Sequence, residues 1–199
     1  MNSALIEVQE QARQINPLPA AQNCSVEYKG TEENGLFRIP FLNETIELTF
    51  PGLKVSLEGS NNVDAGVQII LSYHLIKSDG RALTNNWISY ADLPGGMDYI
   101  KAMRSYSSEL LQKHFGNDID KLSASARKLG ALDLDLSADL AVKFSVFPKV
   151  PVALLYWCAD EEFPTTRADF LFDEAAPHHL PSDCYAILCS YLTQSLISN

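Results

Sequence analysis

The chain has 199 residues, 46% of them hydrophobic and 20% charged, a balance that supports one large packed domain and excludes the disordered class. Its formal net charge of −10 argues against nucleic acid, whose phosphate backbone demands a basic footprint, and against an anionic membrane surface. The longest apolar run, Val150 to Trp157, falls far short of the roughly 18 residues a membrane-spanning helix needs.

The opening residues, MNSALIEVQEQARQINP, have no basic start and no apolar stretch before a small-residue cleavage site, so they do not read as a signal peptide. A cytoplasmic setting is the expectation. Leu5, Val8, Ala12 and Ile15 recur at helical spacing and predict a helix over Ala4 to Ile15, ended by the NPLP of residues 16–19. Alternation between Leu36 and Leu57, broken by Asn34-Gly35, Asn43 and Pro51-Gly52, predicts three or four short antiparallel strands beginning near Ser25. Val67, Ile70, Leu71, His74 and Leu75 then form the stripe of a helix that Gly80 stops. An extended stretch runs through Trp87 into a loop. A long helix is expected from Gly96, with Met97, Ile100, Met103, Leu110, Leu111 and Phe115 on one face and Gly116 just past its end. A shorter helix restarts at Asn117 or Asp118 and runs to about Leu129.

Leu140, Val142, Phe144 and Val146 alternate with polar residues, the pattern of a half-buried strand. Val150 to Trp157 is apolar on both faces and reads as a central strand, with Ala168 to Asp173 its neighbour. A closing helix is expected over Asp183 to Ile197 with Ser182 as N-cap. Strands and helices thus come in blocks, which predicts an α+β fold with a mainly antiparallel sheet. The organisation expected is a single domain over 1–199: an N-terminal helix and β-meander to about residue 60, then a motif-bearing part over about 63–199.

Two loops stand out. In WISYADLPGGMDYI, residues 87–100, Pro94 fixes one φ angle while Gly95 and Gly96 allow unusual backbone shapes where a helix starts. Such a helix start can hold an anion or a carbonyl oxygen, or can simply be a tight connection. In YWCADEEFP, residues 156–164, Asp160, Glu161 and Glu162 follow an apolar strand directly. They read either as a polar strand end reaching solvent or as a carboxylate group that binds a cation or raises one pKa for acid–base work. From Pro151 onward the chain carries seven acids and one base, Arg167, whereas Lys101 to Lys128 holds six bases. If the two stretches meet in space, one cleft carries both signs.

Trp87, Tyr90, Asp92, Leu93, Pro94, Gly95 and Gly96 in the first loop resemble the DUF3786 family, as do Trp157, Asp160, Glu161, Glu162, Phe163 and Pro164 in the second. FPKVP at residues 147–151, FLFD at 170–173 and the final helix are similar too. The resemblance covers roughly Val63 to the C-terminus. It implies no established reaction. Some relatives carry an added cysteine-rich iron–sulfur segment, and this chain departs from that pattern: Cys24, Cys158, Cys184 and Cys189 contain no CxxC pair and read as free thiols.

A divalent metal is a possible cofactor, held by Asp160 and Glu162 with His178 or the adjacent His179, although no HExxH spacing is present. The DLDLSADL stretch at 133–140 fails as a calcium loop, having Ala138 at the sixth position and Phe144 at the twelfth. Cys158, beside three acids, should have a raised pKa and make a blunt nucleophile. No GxSxG, Walker loop or GxGxxG occurs. The leading expectation is a binding or accessory module for a small ligand, planar or cationic, in a pocket between the two loops. Trp87, Tyr90, Asp92, Gly95, Gly96, Trp157, Asp160, Glu161 and Glu162 would line it. The alternatives are a metal-assisted hydrolase built on the acids with His178 or His179, and an acidic interaction module for a basic protein partner.

Overall fold

The computed structural model describes residues 3–57 and 63–199. The expected division near residues 60–63 adjoins 58–62, which lie outside the described residues. Two antiparallel sheets and the helices around them form an α+β body.

Helix α1 (Ser3–Ala12) stops before the predicted end, and α2 (Pro17–Cys24) follows where only a breaker was expected. The reason is local: the Asn16 side chain accepts the amide of Leu18, and Pro17 sits in the first turn, where its missing N–H costs nothing. The meander is β1 (Glu27–Gly30), β2 (Gly35–Phe41), β3 (Glu44–Phe50) and β4 (Val55–Leu57), paired in chain order. Phe37, Ile39, Phe41, Ile46 and Leu48 supply its buried face. Helix α3 (Ala65–Lys77) is capped by Asp64, whose carboxylate accepts the amides of Gly66 and Val67. All five predicted stripe residues of α3 are buried.

The second sheet has the order β5-β9-β8-β7-β6. Its members are β5 (Trp87–Ser89), β6 (Leu132–Asp133), β7 (Leu140–Phe147), β8 (Val150–Trp157) and β9 (Arg167–Asp173). The all-apolar β8 is central, as its lack of alternation predicts. The long helix expected from Gly96 is two, α4 (Gly96–Ser105) and α5 (Ser108–Phe115). Ser107 breaks it: its backbone leaves helical values at φ −132°, ψ −93°, and its buried hydroxyl donates back to the Met103 carbonyl. Met97, in the first turn of α4, is 70% exposed rather than in the core, although Met103 on the same helix is buried. Helix α6 (Ile119–Lys128) starts from an Asp118 cap, and α7 (Ser182–Ser198) closes the chain. Ser182 does not cap α7; it is its first residue, and its hydroxyl donates to the Pro94 carbonyl instead.

Candidate functional site

Strand pairing fixes where the two loops go. Trp157 stands opposite Arg167 at one end of β9, and Trp87 stands opposite Asp173 at the other. Six residue steps of strand, about 20 Å, separate the two tryptophans, so they do not wall one pocket. Both are half-buried.

The acidic loop is built by one of its own acids. Asp160 Oδ1 accepts the amides of Glu162 (2.9 Å) and Phe163 (2.6 Å), while the Asp160 amide donates to the Phe163 carbonyl (2.9 Å). Asp160 is therefore a turn-maker. Glu161 and Glu162 are exposed. The loop is held from outside by two side-chain amides. Asn117, just past α5, donates to the Ala159 carbonyl (2.9 Å) and accepts the Ala159 amide (2.8 Å). Gln112 of α5, with its amide oriented to suit its neighbours, donates to the Thr166 carbonyl and accepts the Ala168 amide, both at 3.2 Å. Asp139 accepts the Cys158 amide at 2.7 Å, and Tyr156 donates its hydroxyl to the Gly116 carbonyl.

Beneath this loop lies a cleft of about 480 Å³, lined by Trp157, Cys158, Phe163, Pro164, Arg167 and the carboxylates of Asp139 and Asp160, together with Thr165. The Arg167 guanidinium lies over the Trp157 ring, 4.4 Å from its centroid, a cation–π contact. Phe163 is 65% exposed, a large aromatic fixed at the rim. Burial first, and then the neighbouring Asp139, raise the Cys158 thiol pKa, so it is a weak nucleophile; the direction is the expected one, but the cause is burial and Asp139 rather than the three acids that follow in sequence.

The glycine loop meets this region through a second, smaller cavity of about 180 Å³. Ser89, Tyr90, Met103, Arg104, Ser108 and Asp169 are among its walls, and Arg167 borders it as well as the cleft. Arg104 of α4 donates to Asp169 Oδ1 at 3.0 Å, and Arg167 donates Nε (2.8 Å) and Nη2 to Asp169 Oδ2. The basic stretch and the acidic third of the chain do meet, at this carboxylate.

The glycines themselves line neither cavity. Gly95 precedes α4 at φ +72°, with open space where a Cβ would sit. At Gly96 a Cβ would fall 1.8 Å from the Tyr90 carbonyl oxygen, so no side chain fits there. Asp92 closes the turn after β5: its Oδ2 accepts from the Ser89 hydroxyl (2.7 Å) and amide (3.0 Å), and the hydroxyl bond foremost holds its carboxyl below the usual range. Tyr90 is buried and donates its hydroxyl to the Ser182 carbonyl; burial pushes its pKa up to about 12.

The proposed metal ligands are not brought together. His178 lies beyond the Asp173 end of β9, its Nδ1 2.7 Å from Asp79 Oδ2. His179 is buried, its Nδ1 2.9 Å from the Ser78 hydroxyl. Asp160 and Glu162 follow the opposite end of the sheet. No group of three His, Cys, Asp or Glu residues suited to a metal occurs among the described residues. A larger hollow of about 590 Å³, lined by residues such as Asn43, Lys128, Tyr191 and Gln194, is remote in sequence from both motif loops.

Sequence reasoning missed Arg104, Asp169, Gln112 and Asn117. Nothing in their spacing marks them, because each acts across elements far apart in the chain. It also gave Asp173 no structural role. That carboxylate is 1% exposed and accepts from Thr84, Asn85 and Ala175, pinning the turn that enters β5 and the turn that leaves β9 at one end of their pairing.

Fold and site together define an α+β domain with a clamped hairpin loop over an aromatic cleft. A family model described as a domain of unknown function, DUF3786, matches residues 16–195, and the chain belongs to that family. The match takes in the meander, which the motif resemblance from Val63 onward did not reach. No curated protein and no solved structure matches.

Proposed function

We propose that the chain is a non-catalytic binding module for a small molecule with a flat, apolar body, held in the cleft beneath the acidic loop. One observation carries this reading: Phe163, Pro164 and Trp157 line a hollow whose loop is fixed from outside by the Asn117 and Gln112 amides. Aromatic walls on a rigid frame supply contact area at low entropic cost. Cys158 and the carboxylates are poor candidates for chemistry, since the thiol pKa is raised and Asp139 and Asp160 already accept backbone amides. The test is native mass spectrometry of the protein from its own host, beside Phe163→Ala. A small molecule retained by the wild type and lost from the variant is expected. A bare wild-type mass, with no change in Trp157 emission in a Trp87→Phe background across a panel of planar aromatics, overturns it.

A second reading rests on Glu161 and Glu162, exposed and without an ion-pair partner among the described residues. They would dock a basic protein partner, and such binding should weaken steeply with salt.

A further inference from the structure

The smaller cavity holds features the fold does not use. Its volume, about 180 Å³, is roughly that of six waters in the liquid. Ser108, the first residue of α5, lines it, is 2% exposed, and its Oγ has no hydrogen-bond partner among the described residues. Buried hydroxyls are nearly always paired, so an orphan bordering a hollow points to a missing acceptor or donor. Two guanidinium groups, moreover, share a single carboxylate. Arg167 occupies Asp169 Oδ2 with two donors, and Arg104 reaches Oδ1 through Nη2 alone. The Arg104 Nε and Nη1 groups have no protein acceptor among the described residues. Every other wall residue is uncharged, so the cavity carries one unit of positive charge in a protein of net charge −10. A simple surface ion pair needs one cation per anion and no orphan hydroxyl beside it.

We infer that this cavity is an acid-recognition subsite, in which Arg104, Arg167 and the Ser108 hydroxyl bind a carboxylate or phosphate group of a small ligand. The inference deepens the cleft reading and rests on it for the rest of the molecule. Arg167 borders both hollows, so a flat body lying against Trp157 and Phe163 can present its acid to the two guanidinium groups. The ligand class is thus a small planar acid. Guanidinium suits this task because its planar fork matches two acid oxygens at once.

The test is an NMR titration that follows the arginine Nε–H and tryptophan indole signals. The probes are benzoate, benzyl alcohol as its neutral counterpart, acetate and inorganic phosphate. Benzoate is expected to bind at least about tenfold more tightly than benzyl alcohol, with Arg104 and Arg167 signals moving. Arg104→Gln, at a half-exposed position, should abolish that preference, and Ser108→Ala should narrow it. Phe163→Ala should weaken both ring compounds and leave their ratio alone. Acetate against phosphate tells which acid the pocket favours. Equal binding of benzoate and benzyl alcohol, an unchanged preference in Arg104→Gln, or arginine signals that no acid moves would each overturn the subsite. If acids move Arg104 in a Ser108-dependent way while Phe163→Ala is silent, the subsite stands and the cleft reading falls.

Discussion

His74 lies on α3, 0% exposed, with its ring stacked on Phe147 at 5.3 Å between centroids, and neither ring nitrogen has a hydrogen-bond partner among the described residues. Its place on the apolar stripe was readable from spacing; its lack of partners was not, since that depends on the side chains that pack against it from other elements. Burial holds its pKa down at about 3, with His179 nearby adding to the effect. The folded ring therefore stays neutral where the unfolded chain's histidine, near about 6.5, takes up a proton. Stability should be full above that pH and fall as the pH drops toward 3, by up to roughly 1.4 kcal/mol per unit from this group. His74→Leu should flatten the slope. Urea unfolding at pH 7, 5.5 and 4 measures it, and a wild-type-to-variant difference that does not change with pH would refute the assignment. The acids of the two motif loops give the opposite lesson. Asp92 and Asp160 were conspicuous in the sequence, yet each accepts hydrogen bonds from a neighbour within three residues and shapes a turn. A sequence displays an unusual residue without saying whether it faces a ligand or its own backbone.

Among the elements, those whose periodicity reflects burial were legible. The meander, α3, β7, β9 and α7 follow from alternation or helical stripes, and β8 from an apolar run with no alternation. The break between α4 and α5 was not, because Ser107 and its bond to Met103 lie inside a pattern that continues on both sides. The junction of α5 with the acidic loop matters most for the site. Asn117 meets Ala159 as a strand would, through one donor and one acceptor. Asn117→Ala should cost about 1 kcal/mol, given the partial exposure of these bonds. Its sharper effect should be local: faster hydrogen exchange at the Ala159 amide, with the Ala153 amide in the centre of β8 unchanged. Uniform acceleration across β8 would mean that the side chain supports the whole sheet rather than the loop.

At the scale of the molecule, the two sheets share one core. Phe41 of β2 packs on Phe147 of β7 at 5.4 Å, the Leu42 amide donates to the Val146 carbonyl, and buried residues of both sheets join one hydrophobic cluster. A single cooperative transition is the expected outcome, with calorimetric and van't Hoff enthalpies equal; two resolved transitions would make the meander a separate unit. The α+β class was legible from the blocks of strand and helix. The pocket was not: the β8–β9 pairing could be expected, but the pairing of β5 with β9, which places the first loop, is announced by no linear pattern. One arrangement reaches beyond binding. Strand β5 accompanies β9 only from Leu171 to Asp173, so residues 167–170 show a bare rim of peptide groups on that side. Gln112 engages Thr166 and Ala168 there, standing in for an absent neighbour. A foreign polypeptide seeking to zip onto that rim meets two of its peptide groups already engaged by a side-chain amide, one of the ways an exposed strand edge is made less available for pairing.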